Sequence, residues 1–160
     1  MGEDRNNAII MVGIPGSGKS TYIDKYIEKC EYIKVFSTDR YREKLTGDVQ
    51  NQSSNNIVFY QIYNDMETAL IEKKDIVFDA TNVTVRDRRQ FIDLANKYNA
   101  LLTAIVFNTD VDVCIERVAQ RGWSVDAKEL CEKFQNRFVS PTINEGFTFI
   151  INGNLVEYGY

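Results

Sequence analysis

Histidine is absent from all 160 residues. That gap removes Ser-His-Asp and Cys-His nucleophile systems, imidazole acid–base catalysis and histidine-ligated metal centres together. Any general base in this chain has to be a carboxylate or another group. Cysteine is scarce: Cys30, Cys114 and Cys131 are odd in number, far apart, and form neither a C-x-x-C pair nor a zinc spacing. They are expected as reduced thiols of the core. No apolar run approaches the roughly 18 residues a membrane helix needs, and the polar start, with Glu3 and Asp4, lacks the form of a secretory signal. A cytoplasmic chain without membrane contact is the expectation. A basic surplus is missing too, since 19 Lys and Arg against 23 Asp and Glu leave a net charge of −4. A protein that coats duplex nucleic acid carries a broad basic surface. Any nucleic-acid contact here is therefore expected at a short end, in a local basic pocket.

What is present is ordinary for a globular chain: 44% hydrophobic and 26% charged residues, with no repeat and no long low-complexity stretch. The length suits one domain, expected to span 1–160. Strand-like and helix-like patterns alternate. Short apolar runs at Ala8–Val12, Tyr32–Phe36, Asp75–Asp79, Leu101–Phe107 and Phe147–Ile151 read as strands. Helical stripes begin near Lys19 (Ile23, Tyr26, Ile27 and Cys30), run from Ile57 to Lys73 (Phe59, Ile62, Met66, Ala69 and Leu70), and follow Thr84 (Phe91, Leu94, Ala95 and Tyr98). Two more are marked by Val111, Cys114, Ile115 and Val118, and by Leu130, Phe134 and Phe138. Thr84 with Asp87, and Asp126 with Glu129, have capping spacing. The polar stretch 47–56 reads as a surface loop, and Asn152-Gly153 as a possible hairpin turn. The predicted class is α/β: a parallel sheet of the P-loop NTPase type with helices on both faces and a short helical lid.

Gly13–Ser20 (GIPGSGKS) matches G-x-x-x-x-G-K-[ST] in full, between a predicted strand and a predicted helix. Glycines let the backbone wind so that successive N–H groups point at phosphate oxygens. The nucleotide site predicted here comprises Gly13, Pro15, Gly16, Ser17, Gly18, Lys19, Ser20 and Thr21, joined by Arg117 from farther along the chain. Lys19 supplies charge to the β- and γ-phosphates, the Ser20 hydroxyl is a Mg²⁺ ligand, and the following helix aims its positive end at the anion. ATP and Mg²⁺ are the expected cofactors.

Among P-loop proteins, a guanine-specific switch would carry N-K-x-D, and Asn96–Asn99 lacks the aspartate. A small kinase needs an acceptor-activating carboxylate and cations around the transferred group. Asp39 follows the second strand and is the candidate base, with a helix N-cap as its plainer role. Arg42 is a candidate phosphate contact or a solvated helix residue. Asp79 ends the third strand and is expected to hold the metal through water and to border the acceptor, and Thr81 and Asn82 beside it could bond substrate. Arg117 and Arg121 share a helix face four residues apart. Gly122 would let the chain break into a lid that brings arginine onto the phosphoryl group. The cluster Arg86, Arg88 and Arg89 reads better as the solvated face of a helix.

Taken in order, GIPGSGKST, STDRYR, FDATN followed by R-D-R-R, and ERVAQRG resemble the kinase domain of phage-type polynucleotide 5′-kinases and related small P-loop kinases, over roughly Ile9 to Phe138. The resemblance implies that Lys19 and Ser20 bind nucleotide and metal and that Asp39 activates an acceptor 5′-hydroxyl. It further implies that Arg42 contacts the acceptor-side phosphate and that Arg121 is the lid arginine. Phe138–Phe147 looks family-like and would border the adenine site. The phage enzymes carry a second, phosphatase domain, for which this chain is too short. The leading expectation is γ-phosphate transfer from ATP to a 5′-hydroxyl end of DNA or RNA. Its rivals are a kinase of a small molecule such as a nucleoside, metabolite or antibiotic, and a nucleotide-dependent binding module that hydrolyses ATP slowly. Oligomeric state is left open.

Overall fold

The computed structural model describes residues 4–51, 53 and 55–154. Five strands, β1 (Asn7–Val12), β2 (Ile33–Ser37), β3 (Asp75–Asp79), β4 (Leu101–Val106) and β5 (Phe149–Asn152), form one sheet in the order β2-β3-β1-β4-β5. Every pairing is parallel. Parallel strands need crossovers, and helices supply them: α1 (Lys19–Tyr26), α2 (Thr38–Thr46), α3 (Asn55–Ile71), α4 (Val85–Lys97), α5 (Val111–Gln120) and α6 (Ala127–Arg137).

The central strand shows how the sheet is covered. Alternate side chains of a strand point to opposite faces. Ala8, Ile10 and Val12 pack with Val58, Ile62 and Met66 of α3 and with Phe91 and Ala95 of α4. Met11, with Val77 and Ile105, packs against Ile23 and Ile27 on the α1 side. A third cluster joins Ile14 and Val83 to Cys114, Val118 and Cys131 of the α5–α6 pair. The layered α/β fold with helices on both sides is thus as expected.

Both capping spacings form. Thr84 Oγ1 accepts from Asp87 N at 3.0 Å while Thr84 N donates to Asp87 Oδ2 at 3.3 Å, and Asp126 Oδ1 accepts from Glu129 N at 3.0 Å. Several boundaries differ from the sequence reading. The α3 helix starts two residues before the expected Ile57, with Val58 buried and Phe59 at its edge. Helix α1 stops at Tyr26, which is 47% exposed, and Cys30 lies in the turn beyond it. Of the thiols, only Cys114 and Cys131 are buried, and burial pushes both pKa values up. Phe147 is buried in the core ahead of β5, whose own residues lie exposed at the sheet edge. Gly153 and Asn154 continue in a 3₁₀ turn, and the remainder of the expected hairpin lies outside the described residues. Among the described residues no helix is long and apolar enough to cross a membrane.

Candidate active site

In a parallel sheet all strand carboxyl ends share one edge, and the crevice there is where ligands bind. That edge receives the phosphate loop after β1, Thr38 and Asp39 after β2, Ala80–Asn82 after β3, and Phe107–Asp110 after β4. Backbone bonds tie the neighbours together: Gly13 N donates to Thr81 O at 3.0 Å and Phe107 N to Val12 O at 2.8 Å.

The loop geometry requires glycine at Gly16. Its φ is +79°, and a Cβ there would stand 2.6 Å from the Cys114 carbonyl oxygen in α5. Lys19 Nζ donates to the Gly13 and Ile14 carbonyls, each at 2.9 Å. Desolvation by the surrounding loop pulls its pKa down to about 8, against the pull of Asp79 and then Asp39. Thr109 Oγ1 donates to Ser17 O at 2.7 Å, and Arg117 Nη1 to Gly16 O at 3.2 Å, so α5 and its preceding loop brace the phosphate loop.

A cavity of about 400 Å³ opens on this loop, lined by Pro15–Thr21, Thr38, Asp39, Asp79, Ala80, Thr81, Arg117, Arg121 and Trp123. It gathers every predicted catalytic residue and, with Gly13 in the loop behind it, the predicted nucleotide-binding set. Asp79 is buried at its floor, and burial raises its carboxyl above the usual range, opposed first by Lys19. Ser20, Asp39 and Asp79 offer hard oxygen donors, the type Mg²⁺ prefers. No group of three or more His, Cys, Asp or Glu that could hold a metal occurs among the described residues. The set therefore fits an ion held by one or two protein oxygens together with substrate phosphates and water.

A second cavity of about 470 Å³ adjoins the first, sharing Pro15, Thr38, Ala80, Thr81 and Trp123. Arg42, Asn55, Phe59, Tyr63, Arg86, Phe134 and Arg137 line it as well. Arg42 is buried, and its guanidinium donates to Asp39 Oδ1 (2.8 Å), to Asn55 Oδ1 (3.1 and 3.2 Å) and to Val49 O (3.3 Å). It is no solvated helix residue. Nor does Asp39 cap α2. Ser37 is the cap, its Oγ accepting from Arg40 N, which leaves the Asp39 carboxylate, half exposed, to Arg42 and the cavity.

One expectation gains a structural role beside it, and another needs correction. Asn82, a candidate substrate contact, lines the second cavity, while its φ is +49° and its Nδ2 donates to Met11 O (2.9 Å) and Ala80 O (3.3 Å). Its amide hydrogens hold the loop to β1. Arg88, read as part of a solvated face, is fully buried, with Nε and Nη2 on the two oxygens of Glu145 at 2.9 and 3.1 Å and Nη1 on Asn82 O at 2.9 Å. Glu145 also accepts from Thr142 N. The Phe138–Phe147 segment is thus strapped over α4, and only Phe138 reaches a further cavity of about 310 Å³, beside Ile14 and Phe107–Val111.

The sequence reading missed the aromatic lining. Phe59 passed for core, while Tyr63, Trp123 and the cavity side of Phe134 were not singled out, although four rings on three different elements converge there. Arg86 also lines this cavity, so the arginine cluster divides between structure and site.

A family model described as an AAA domain matches residues 9–141. The chain is 27% identical over 149 residues to a bifunctional polynucleotide phosphatase/kinase of Schizosaccharomyces pombe, covering 91% of this chain and 33% of that protein. It is 26% identical over 161 residues to an adenylate kinase of Fervidobacterium nodosum, covering 93% and 72%. A chain in the structure of the Pnkp1/Rnl/Hen1 RNA repair complex superimposes with a TM-score of 0.73 at 21% identity, over 85% of this chain and 45% of that one. The chain spans about a third of the length of the phosphatase/kinase it matches.

Proposed function

The chain belongs to the AAA-domain family as a P-loop kinase domain that uses ATP, and from that premise we propose that 1–160 act as one domain that transfers the γ-phosphate to the 5′-hydroxyl end of DNA or RNA. The observation that carries this reading is the second cavity. Next to the phosphate loop it sets Phe59, Tyr63, Trp123 and Phe134 among Arg42, Arg86 and Arg137. Aromatic faces stack bases, at about 1–3 kcal/mol per base, and guanidinium forks pair with phosphates. A nucleotide end needs both. Such a site is local, in keeping with a net charge of −4.

In this reading the backbone N–H groups of 13–21 cradle the donor phosphates, and Lys19, Arg117 and Arg121 offset their charge. Phosphate oxygens replace the Gly13 and Ile14 carbonyls as partners of Lys19. Asp39, at the border of the two cavities, takes the proton of the acceptor hydroxyl as its oxygen bonds to the γ-phosphorus and the bond to the departing ADP breaks. Arg42 fixes the Asp39 carboxylate and faces the acceptor phosphate, and Thr81 offers a hydroxyl where the cavities meet. Mg²⁺, held by Ser20 directly and by Asp79 through water, would neutralise phosphate charge.

A small-molecule acceptor is the second reading, favoured by the acidic balance of the chain and the adenylate kinase relative. Competition separates the two. Short 5′-hydroxyl oligonucleotides should compete with any other acceptor in the micromolar range, whereas nucleosides and nucleoside monophosphates should not. Competition by a mononucleotide alone would replace the polynucleotide reading with the small-acceptor one.

A further inference from the structure

Arg121 follows the last turn of α5, and two residues on stands Trp123, the only tryptophan of the chain. Residues i and i+2 of a helix point apart, yet here they meet. Gly122 between them has φ +70°, which turns the chain back and lays the Arg121 guanidinium over the Trp123 ring, 5.2 Å from its centroid. That is within the range of cation–π attraction. The other arginines that reach the cavities from α2 and α5 are anchored differently: Arg42 by a carboxylate, an amide and the Val49 carbonyl, and Arg117 by the Gly16 carbonyl. No carboxylate among the described residues forms an ion pair with Arg121.

The difference has a physical consequence. A carboxylate partner would fix Arg121 but cancel its charge, whereas an aromatic face orients a guanidinium and leaves the charge available to a phosphate. That charge already reaches the phosphate loop, where it opposes protonation of Lys19. Trp123 also walls both cavities, whereas Arg121 walls only the first.

We propose that Trp123 is the positioning residue of Arg121: its ring holds the guanidinium over the phosphate-loop cavity with its charge uncancelled, and an acceptor in the second cavity touches the same ring. The inference rests on Arg121 serving the transferred phosphoryl group and is independent of which acceptor is used.

The test is a double-mutant cycle on ATP turnover, with transfer to an acceptor or slow hydrolysis as the readout, beside equilibrium ATP binding. Trp123→Leu should lower kcat roughly 3- to 30-fold with little change in ATP affinity, and Trp123→Phe should restore most of it. In an Arg121→Ala background Trp123→Leu should cost nothing more. Gly122→Ala is the second variant, because no atom lies within 4 Å of its added Cβ and only the backbone turn is strained. It should reproduce the kcat loss with both side chains present. A binding assay keeps the test independent of turnover: ATP should change the emission of the sole tryptophan, and the change should shrink in Arg121→Ala. Equal costs of Trp123→Leu with and without Arg121, or an emission indifferent to ATP, would overturn the proposal. Loss of nucleic-acid transfer alone would not, since hydrolysis and emission report on Arg121 without that acceptor.

Discussion

The Asp39 carboxylate and the Arg42 guanidinium meet at 2.8 Å, one turn apart on α2, with Asp39 lining the phosphate-loop cavity and Arg42 the aromatic one. The pair straddles the border where donor and acceptor would join. Spacing of three residues on a helix puts both on one face, and the Ser37 cap frees Asp39 from the helix end. The proposed base and the arginine that holds it are therefore one local unit, set at the carboxyl end of β2.

That unit gives the first prediction. Asp39→Asn keeps the size and the acceptor oxygen toward Arg42 but loses the proton-accepting charge. Transfer should fall by about 10²- to 10⁴-fold, with ATP affinity and thermal midpoint near wild type. Near wild-type turnover would remove Asp39 from the role of base.

Lys19 supplies a pH signature. Its pKa is lowered to about 8, so in the free protein it loses its proton as pH rises through that value. Bound triphosphate favours the ammonium and raises its pKa. ATP affinity should thus be level below about pH 7 and decline up to tenfold per pH unit above about 8. In Lys19→Met the affinity is weaker throughout and the decline disappears. Titration calorimetry at several pH values reads both.

Asp79 should separate stability from function. Burial raises its pKa, so the ionised form is disfavoured in the folded chain, and any stabilisation from the protonated form is lost as pH rises through the folded value. At neutral pH Asp79→Asn removes that burden. Its thermal midpoint should equal or exceed wild type, while Mg²⁺-dependent transfer falls at least tenfold. A large drop in the midpoint would mean that the carboxylate is a structural partner.

The Arg88–Glu145 pair predicts a stability effect from outside the phosphate-loop cavity. Arg88 is fully buried, so Glu145→Ala strands its charge and should cost about 3–5 kcal/mol in urea unfolding. Replacing both by apolar residues of similar volume should recover most of the loss. The Asn82 carbonyl on Arg88 links this strap to the loop under both cavities.

How far the sequence disclosed this molecule depends on the range of each interaction. The phosphate loop, the strands ending in Asp79 and Val106 and the Thr84 and Asp126 caps are local patterns, and all form. Asp39 and Lys19 could be placed together because parallel strands bring their carboxyl ends to one edge, and Arg117 and Arg121 because a spacing of four puts both on one helix face ahead of the Gly122 turn. Arg88 could not, since its partner lies 57 residues away and an arginine on an amphipathic helix reads as solvated. The aromatic lining was hidden for the same reason. Phe59, Tyr63 and Phe134 sit at helical spacings that serve a core equally well, and only the tertiary fold turns them toward a cavity. Trp123 gave no periodic signal at all, because its place depends on the left-handed turn at Gly122.

The most direct test of the account is transfer of labelled γ-phosphate from ATP to a short 5′-hydroxyl oligonucleotide, beside the same oligomer bearing a 5′-phosphate. The account predicts label on the 5′-hydroxyl strand alone, dependent on Mg²⁺ and lost with Asp39→Asn. Absence of label on either strand, in a protein shown to bind ATP, would contradict the polynucleotide acceptor and turn the second cavity over to a smaller molecule.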